Sequence, residues 1–154
     1  SPLLHCDQRP RLLHYDSSLP LRIVGRRSGG STLVVAETYR GCLTAFDIQP
    51  TGDLVGRRLW AQLPEGDVPD GICVDAEEAI WVASPTTGSV LRVREGGEVT
   101  DSIQTGRKAI ACALGGDEGR TLFVSSSEST DRDICLDRRS ACIHAFEVAI
   151  ASVN

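Results

Sequence analysis

The 154-residue sequence contains no methionine, a single asparagine at Asn154, and only 5% aromatic residues. It also lacks any apolar run close to the roughly 20 residues that a helix needs to cross a bilayer. Residues 1–5 show neither the basic region nor the apolar stretch of a secretory signal. These absences predict a soluble, cytoplasmic protein with no membrane partner.

An excess of positive charge is also missing, since the formal net charge is -5 at pH 7. The basic residues are scattered in pairs such as Arg57 and Arg58, whereas nucleic-acid binding needs lysine and arginine clustered on one face. The composition therefore excludes a nucleic-acid partner and leaves a small metabolite open as a ligand.

No two cysteines have the Cys-x-x-Cys spacing of a zinc site or a dithiol redox motif. The six cysteines are spread along the chain, and most fall within or beside apolar runs, where a thiol packs as a small hydrophobic group. We predict reduced, structural thiols, with a disulfide between Cys135 and Cys142 as the alternative. The cysteines stand at positions 6, 42, 73, 112, 135 and 142.

What the sequence does contain is a repeat of paired apolar runs with the β-branched and aromatic residues typical of strands. Leu33 corresponds to Ile80 and Leu43 to Val90, a shift of 47 residues in both cases. Short strands that recur at this period are typical of propeller blades. The first run of each pair lies at 33–38, 80–84 or 122–126, and the second run of the same pair lies at 43–48, 90–94 or 143–148.

The middle unit shows a complete four-strand pattern, and no long amphipathic helix interrupts the series. We therefore predict an all-β fold, a partial six-bladed β-propeller of about three blades with four-stranded antiparallel sheets. A β-sandwich is the structural alternative. An open arc leaves unpaired strand groups at its ends, so we also expect possible self-association through open blade edges. The predicted strands of the middle unit are 71–75, 79–84, 89–94 and 98–103.

The segment Pro-Asp-Gly-Ile-Cys-Val-Asp-Ala-Glu at 69–77 resembles the gluconolactonase and senescence-marker-protein (regucalcin) family of six-bladed propellers. Further segments agree in order and spacing: Val-Ala-Glu within 32–38, Phe-Asp-Ile at 46–48, and the run at 111–116. The resemblance assigns 31–154 to the C-terminal blades of such a propeller. Residues 1–30 match poorly and show no inner strand, which leaves divergence, truncation or an upstream frame error open.

The resemblance implies hydrolysis of sugar lactones or related cyclic esters, assisted by one divalent cation, calcium or zinc, in the central channel. In the family this metal is held by a glutamate, an asparagine and the aspartate of the Pro-Asp-Gly motif. Only that aspartate has a counterpart in this chain, Asp70, so the resemblance implies Asp70 as both metal ligand and catalytic residue. The position expected for the asparagine falls in 21–27, which contains none.

Other candidate residues favour structural interpretations. Glu37 lies on a repeated strand and is expected to have a structural role in bracing a turn, although a position facing the channel is the alternative. The histidines 5, 14 and 144 are too dispersed for a triad, and the serines at 125–129 lack the Gly-x-Ser-x-Gly pattern of serine hydrolases. The acidic stretch 128–137 is expected to be a solvated connection, and Trp60 and Trp81 are expected in the core.

Two functional hypotheses follow from these residues. The first is a metal-dependent lactonase whose C-terminal half this chain represents, with a lactone or sugar acid as its small-molecule partner. The second is a noncatalytic propeller remnant that binds a small molecule or a protein. Because the other expected site groups are absent, we expect the chain to be inactive on its own.

Overall fold

A computed structural model describes residues 21–26 and 32–153. The described residues form eleven strands, one 3-10 helix at Thr38–Arg40 and one short α-helix, α1. Neither helix in these parts of the chain is long and apolar enough to cross a membrane. The bounds are β1 Leu21–Arg26, β2 Thr32–Glu37, β3 Cys42–Ile48, β4 Leu54–Gln62, β5 Ile72–Val74, β6 Ile80–Ser84, β7 Ser89–Val93, β8 Val99–Gln104, β9 Lys108–Gly115, β10 Thr121–Ser127, α1 Arg132–Asp137 and β11 Cys142–Glu147.

The described strands form three antiparallel sheets in chain order. Sheet 1 is β1-β2-β3-β4, sheet 2 is β5-β6-β7-β8, and sheet 3 is β9-β10-β11. The first strands of successive sheets are neighbours, because β1 lies beside β5 and β5 lies beside β9. Sheets that meet through their first strands are arranged as blades around an axis, which confirms the partial propeller and excludes the face-to-face sandwich.

The repeat detected in the sequence is also a repeat of hydrogen-bond register. In sheet 1, Leu33 pairs with Phe46, and in sheet 2 Ile80 pairs with Val93. Every partner of the β2–β3 hairpin from Leu33 onwards therefore reappears 47 residues later in the β6–β7 hairpin. This equivalence shows that sheets 1 and 2 are copies of one structural unit.

The prediction that residues 22–30 contain no inner strand was wrong for the part that the structure describes. β1 pairs antiparallel with β2, and it is the first strand of sheet 1. Its register shifts between Ile23 and Arg26. Such a bulge destroys the strict apolar and polar alternation by which a strand is recognised in a sequence.

Two apolar clusters lie on the two faces of sheet 2. Val82 belongs to the cluster shared with sheet 1, which includes Trp60, and Trp81 belongs to the cluster shared with sheet 3, which includes Leu122. Neighbouring residues of a strand point to opposite faces, so β6 serves both cores. Trp60 and Trp81 are each 1% exposed, which confirms their expected place in the core.

Sheet 3 and the chain after it differ in detail from the sequence prediction. The acidic stretch 128–137 is exposed as expected, but it also contains α1, whose first turn is capped by the carboxylate of Asp131. After β11 the chain returns to sheet 2, where Ser152 forms a β-bridge with Asp75. Ser152 also donates its N–H to the carbonyl of Gly119, so the C-terminal segment joins sheets 2 and 3.

Candidate functional site

Asp70 lies two residues before the start of β5, the first strand of sheet 2, and is half-buried. Its backbone N–H donates to the carbonyl of Ala83 at 2.9 Å, and the N–H of Gly71 donates to the carbonyl of Ile110 at 2.8 Å. The first bond fixes Asp70 to β6 of its own sheet, and the second fixes the next residue to β9 of sheet 3. The backbone at Asp70 is therefore held on both sides.

Glycine at position 71 allows this close approach of β5 and β9. A Cβ atom at Gly71 would lie 2.5 Å from the Cα of Ala111 and 3.0 Å from the carbonyl oxygen of Ile110. Any side chain would therefore force the two first strands apart. In the Pro-Asp-Gly motif, the aspartate thus supplies a polar side chain, and the glycine allows the innermost strands to lie close together.

Hydroxyl groups fasten the segment before Asp70 to the turn between β6 and β7. The Asp67 carboxylate accepts hydrogen bonds from Thr87 and from Ser89, the latter at 3.0 Å. The N–H of Val68 donates to the hydroxyl of Ser84 at 3.2 Å. Because these hydrogen bonds hold the segment in place, they also fix the position of Asp70 beside β5.

A cleft of about 450 Å³ opens beside the turn that joins β6 and β7, between sheets 2 and 3. Its walls are residues 85–88, the residues that lead into β9, and Glu128. Arg107 lies 3.4 Å from the Glu128 carboxylate and donates to the carbonyl of Ser140 at 2.7 Å. Lys108 is also in the wall of the cleft, but Asp70 is not among its lining residues.

The described residues do not fit a metal centre around Asp70. No three side chains among the histidines, cysteines, aspartates and glutamates of these residues converge as a metal site. Calcium takes six to eight oxygen ligands, and zinc usually takes four ligands, so one carboxylate cannot hold either ion. Asp70 as a metal ligand or catalytic residue therefore stays a prediction.

Glu37, the second acid considered from the sequence, ends β2 and is 1% exposed. Its carboxylate accepts hydrogen bonds from Thr44 at 2.5 Å and Arg57 at 2.8 Å, and Arg40 lies 3.4 Å from its second oxygen. Burial alone raises the pKa of Glu37, but these bonds and the two arginine charges outweigh it, so the pKa is lowered. The contacts agree with the bracing role expected from the sequence.

We predict that Glu37→Gln lowers the free energy of unfolding by about 1–2 kcal/mol at neutral pH, because it weakens charged hydrogen bonds. The folded-state pKa lies below the ordinary value of 4.5, so ionised Glu37 stabilises the fold above that pH and less as the pH falls. Urea unfolding between about pH 5 and pH 3 should therefore show a shallower loss of stability in the variant than in the wild type.

The exposed acid Glu118 provides the matched control for this titration. Glu118→Gln should follow the wild-type pH dependence. If both variants show the same slope, the network around Glu37 does not carry the pH-dependent stability that we assign to it.

The structure also brings together three polar residues that the sequence left apart. Ser126 and Cys142 are paired residues of β10 and β11, and the His144 Nε2 lies 2.8 Å from the Ser126 hydroxyl and 3.3 Å from the Cys142 thiol. Ser126 is 1% exposed, so its hydroxyl is closed to a substrate. We interpret this cluster as a polar packing contact.

The cysteines that the structure describes are all free thiols, including Cys135 and Cys142, so the alternative disulfide between these two is not formed. Cys135 is exposed, whereas Cys42 and Cys112 are buried. Cys6 and the histidines 5 and 14 lie outside the described residues.

Comparison with known proteins gives a consistent result. The family model of the SMP-30/gluconolactonase/LRE-like region matches residues 25–128. Regucalcin of Gallus gallus is 35% identical over 57% of this chain and 30% of its own length. The 6-deoxy-6-sulfogluconolactonase of Pseudomonas putida is 35% identical over 75% of this chain and 41% of its own length.

A solved structure described as regucalcin, a calcium-binding protein from Agrobacterium tumefaciens, shares the fold with a TM-score of 0.65 and 21% identity. The match covers 80% of this chain and 44% of that protein. The chain thus spans less than half the length of each of these relatives.

Proposed function

The chain belongs to the SMP-30/gluconolactonase/LRE-like family, and on that premise we propose that it supplies Asp70 to a site that hydrolyses sugar lactones or related cyclic esters. The position of Asp70 carries this proposal. Its backbone is fixed to β6, and the following residue is fixed to β9, at the start of an innermost strand. The Pseudomonas putida relative, which is named as a lactonase, matches 75% of the chain.

The reaction needs a water molecule to add to the lactone carbonyl while the ring C–O bond breaks, which yields a hydroxy acid. Asp70 is suited to act as general base, because a carboxylate can accept the proton of the attacking water and return it to the ring oxygen. We derive no metal step for this chain, since the described residues do not assemble the ligands that calcium or zinc requires.

We infer that this chain is inactive by itself, because the described residues do not assemble a cation site beside Asp70. A pH-indicator assay with glucono-1,5-lactone, with and without Ca²⁺, Zn²⁺ or Mn²⁺, should give the uncatalysed rate. Robust turnover by the 154-residue chain would contradict this inference and favour a complete active site.

The role of Asp70 is testable in a chimera in which residues 31–154 replace the matching segment of the Pseudomonas putida lactonase. We expect the folded chimera to hydrolyse lactones, and Asp70→Asn to lower kcat by about 10²- to 10⁴-fold, the range of general base catalysis. The exposed carboxylate Asp101 gives the matched control, and Asp101→Asn should leave kcat unchanged. Equal activity of the Asp70 and Asp101 variants would end the assignment.

A specific observation favours a second function, association with another copy of the chain. Sheet 3 has three described strands where sheets 1 and 2 have four, so β11, the third strand, has no partner on its outer side within the described residues. Ile143 is 74% and Phe123 40% exposed on the face of sheet 3 that points away from sheet 2. Apolar side chains beside an unpaired strand edge are a site for strand pairing with another chain.

We predict that the chain forms dimers or larger species at micromolar concentration and that Ile143→Lys shifts it to the monomer. Size-exclusion chromatography with light scattering measures the change. Tyr39→Lys is the control, because Tyr39 is 72% exposed but lies in the 3-10 helix and not on a strand edge. A wild-type chain that is monomeric at all concentrations, or an equal shift by both variants, would contradict association through sheet 3.

A further inference from the structure

Two thiols meet where the first strands of sheets 2 and 3 run side by side. Cys73 on β5 and Cys112 on β9 have their Sγ atoms 3.8 Å apart, although they are separated by 39 positions in the sequence. The close approach of the two strands at Gly71 and Ala111 brings the thiols together. This pair lies outside the hydrolytic chemistry proposed for Asp70.

We propose that Cys73 and Cys112 are an oxidative modification site, at which hydrogen peroxide converts the two thiols into a reversible disulfide between sheets 2 and 3. A disulfide bond is about 2.05 Å long, so the sulfur atoms must approach by about 1.8 Å, a movement within reach of side-chain rotation.

The environments of the two thiols differ and set the order of reaction. Cys73 is half-buried, which leaves it open to a small oxidant, whereas Cys112 is 8% exposed. The hydrogen bond with Cys73 and the burial of its own side chain raise the pKa of Cys112 well above its ordinary value. Since the thiolate is the nucleophile, Cys73 reacts with peroxide first.

The reaction balances in two steps. The Cys73 sulfur attacks one peroxide oxygen, the O–O bond breaks, water leaves after protonation, and Cys73 becomes a sulfenic acid. The Cys112 sulfur then attacks the Cys73 sulfur and the S–O bond breaks, while the Cys112 proton passes to the departing hydroxide, which leaves as a second water. Two thiols lose two electrons and two protons in total, and hydrogen peroxide is reduced to two waters.

Trypsin separates the two cysteines for a direct test. Cleavage after arginine and lysine places Cys73 in peptide 59–92 and Cys112 in peptide 109–120, and each peptide contains no other cysteine. After treatment of the 154-residue chain with hydrogen peroxide and alkylation of the remaining thiols, we expect these peptides to be joined, in a protein that runs as a monomer on a denaturing gel without reductant. Dithiothreitol should separate them.

The disulfide should also raise the melting temperature by about 5–10 °C, because it closes a loop of roughly 40 residues across two sheets. Cys73→Ser and Cys112→Ser should each abolish the joined peptides and this rise. The exposed Cys135 supplies the matched control, and Cys135→Ser should change neither. Full alkylation of Cys73 and Cys112 in the oxidised wild-type chain would overturn the proposal, whether or not the serine variants fold.

Discussion

Asp75→Ala is expected to lower the free energy of unfolding by about 3–5 kcal/mol, the cost of leaving a buried charge without its partner. Asp75 has no exposed surface, and its carboxylate accepts a hydrogen bond from the Arg92 Nε at 2.6 Å and others from the N–H groups of Glu77 and Ala79. The variant loses all three bonds and leaves the Arg92 guanidinium, 7% exposed, without its main counter-ion.

The electrostatics of Arg92 explain why the effect is large. Burial by itself lowers the pKa of Arg92, but the hydrogen bonds and charges of Asp75 and Glu77 raise it above the ordinary value. The Glu77 carboxylate, 3.0 Å from Arg92, is half-exposed and compensates only in part once Asp75 is removed. Asp75 therefore stabilises the buried charge of Arg92 more than Glu77 does.

Urea unfolding of Asp75→Ala beside Glu98→Ala measures this difference. Glu98 forms an exposed ion pair with Arg94 at 3.7 Å, and such pairs contribute between 0 and about 1 kcal/mol. A loss below about 1 kcal/mol for Asp75→Ala, similar to that of the control, would show that the buried network is not a main source of stability.

Gly71→Ala is expected to destabilise the fold by about 2–3 kcal/mol, since the added Cβ would overlap backbone and not a movable side chain. The nearest atoms are the Cα and Cβ of Ala111, at 2.5 Å and 2.7 Å. Relief requires β5 and β9 to separate, which stretches the bond from the Gly71 N–H to Ile110. Asp70, the preceding residue, moves with the strand.

Gly115 provides the control for this substitution. A Cβ at Gly115 would meet the ring of Phe123 at 3.4 Å, an ordinary contact with a side chain. Thermal or urea unfolding should therefore place Gly115→Ala within about 0.5 kcal/mol of the wild type. A loss for Gly71→Ala as small as that expected for Gly115→Ala would mean that β5 and β9 separate without cost.

The strands of sheets 1 and 2 were predictable because the apolar pattern that marks each strand lies within a few consecutive residues. Strand patterns at 32–48 and 71–103 and the shared shift of 47 residues fix which hairpins are equivalent. β1 was missed because its register shift breaks the alternation. The capped α1 was missed because six exposed residues form no apolar face long enough to be recognised.

The side-chain networks were not predictable, because their members come from separate strands. Asp75 and Arg92 are 17 positions apart, and Cys73 and Cys112 are 39 apart on different sheets. No spacing rule connects such residues until the strand pairing within sheet 2 and the packing of β5 against β9 are known. Asp70 was found through its motif, but the bond from Gly71 to Ile110 that anchors it came only from the structure.

Sheet 2 is the only described sheet that takes part in both apolar clusters, one on each of its faces. The protein is in this respect a linear array in which each module depends on its immediate neighbour, as in repeat proteins. A substitution that disrupts the packing of sheet 1 should leave the apolar cluster between sheets 2 and 3 intact. A substitution that disrupts sheet 3 should leave the cluster between sheets 1 and 2 intact. Mutational tolerance should therefore be lowest in the central module, where one altered residue weakens cohesion in both directions.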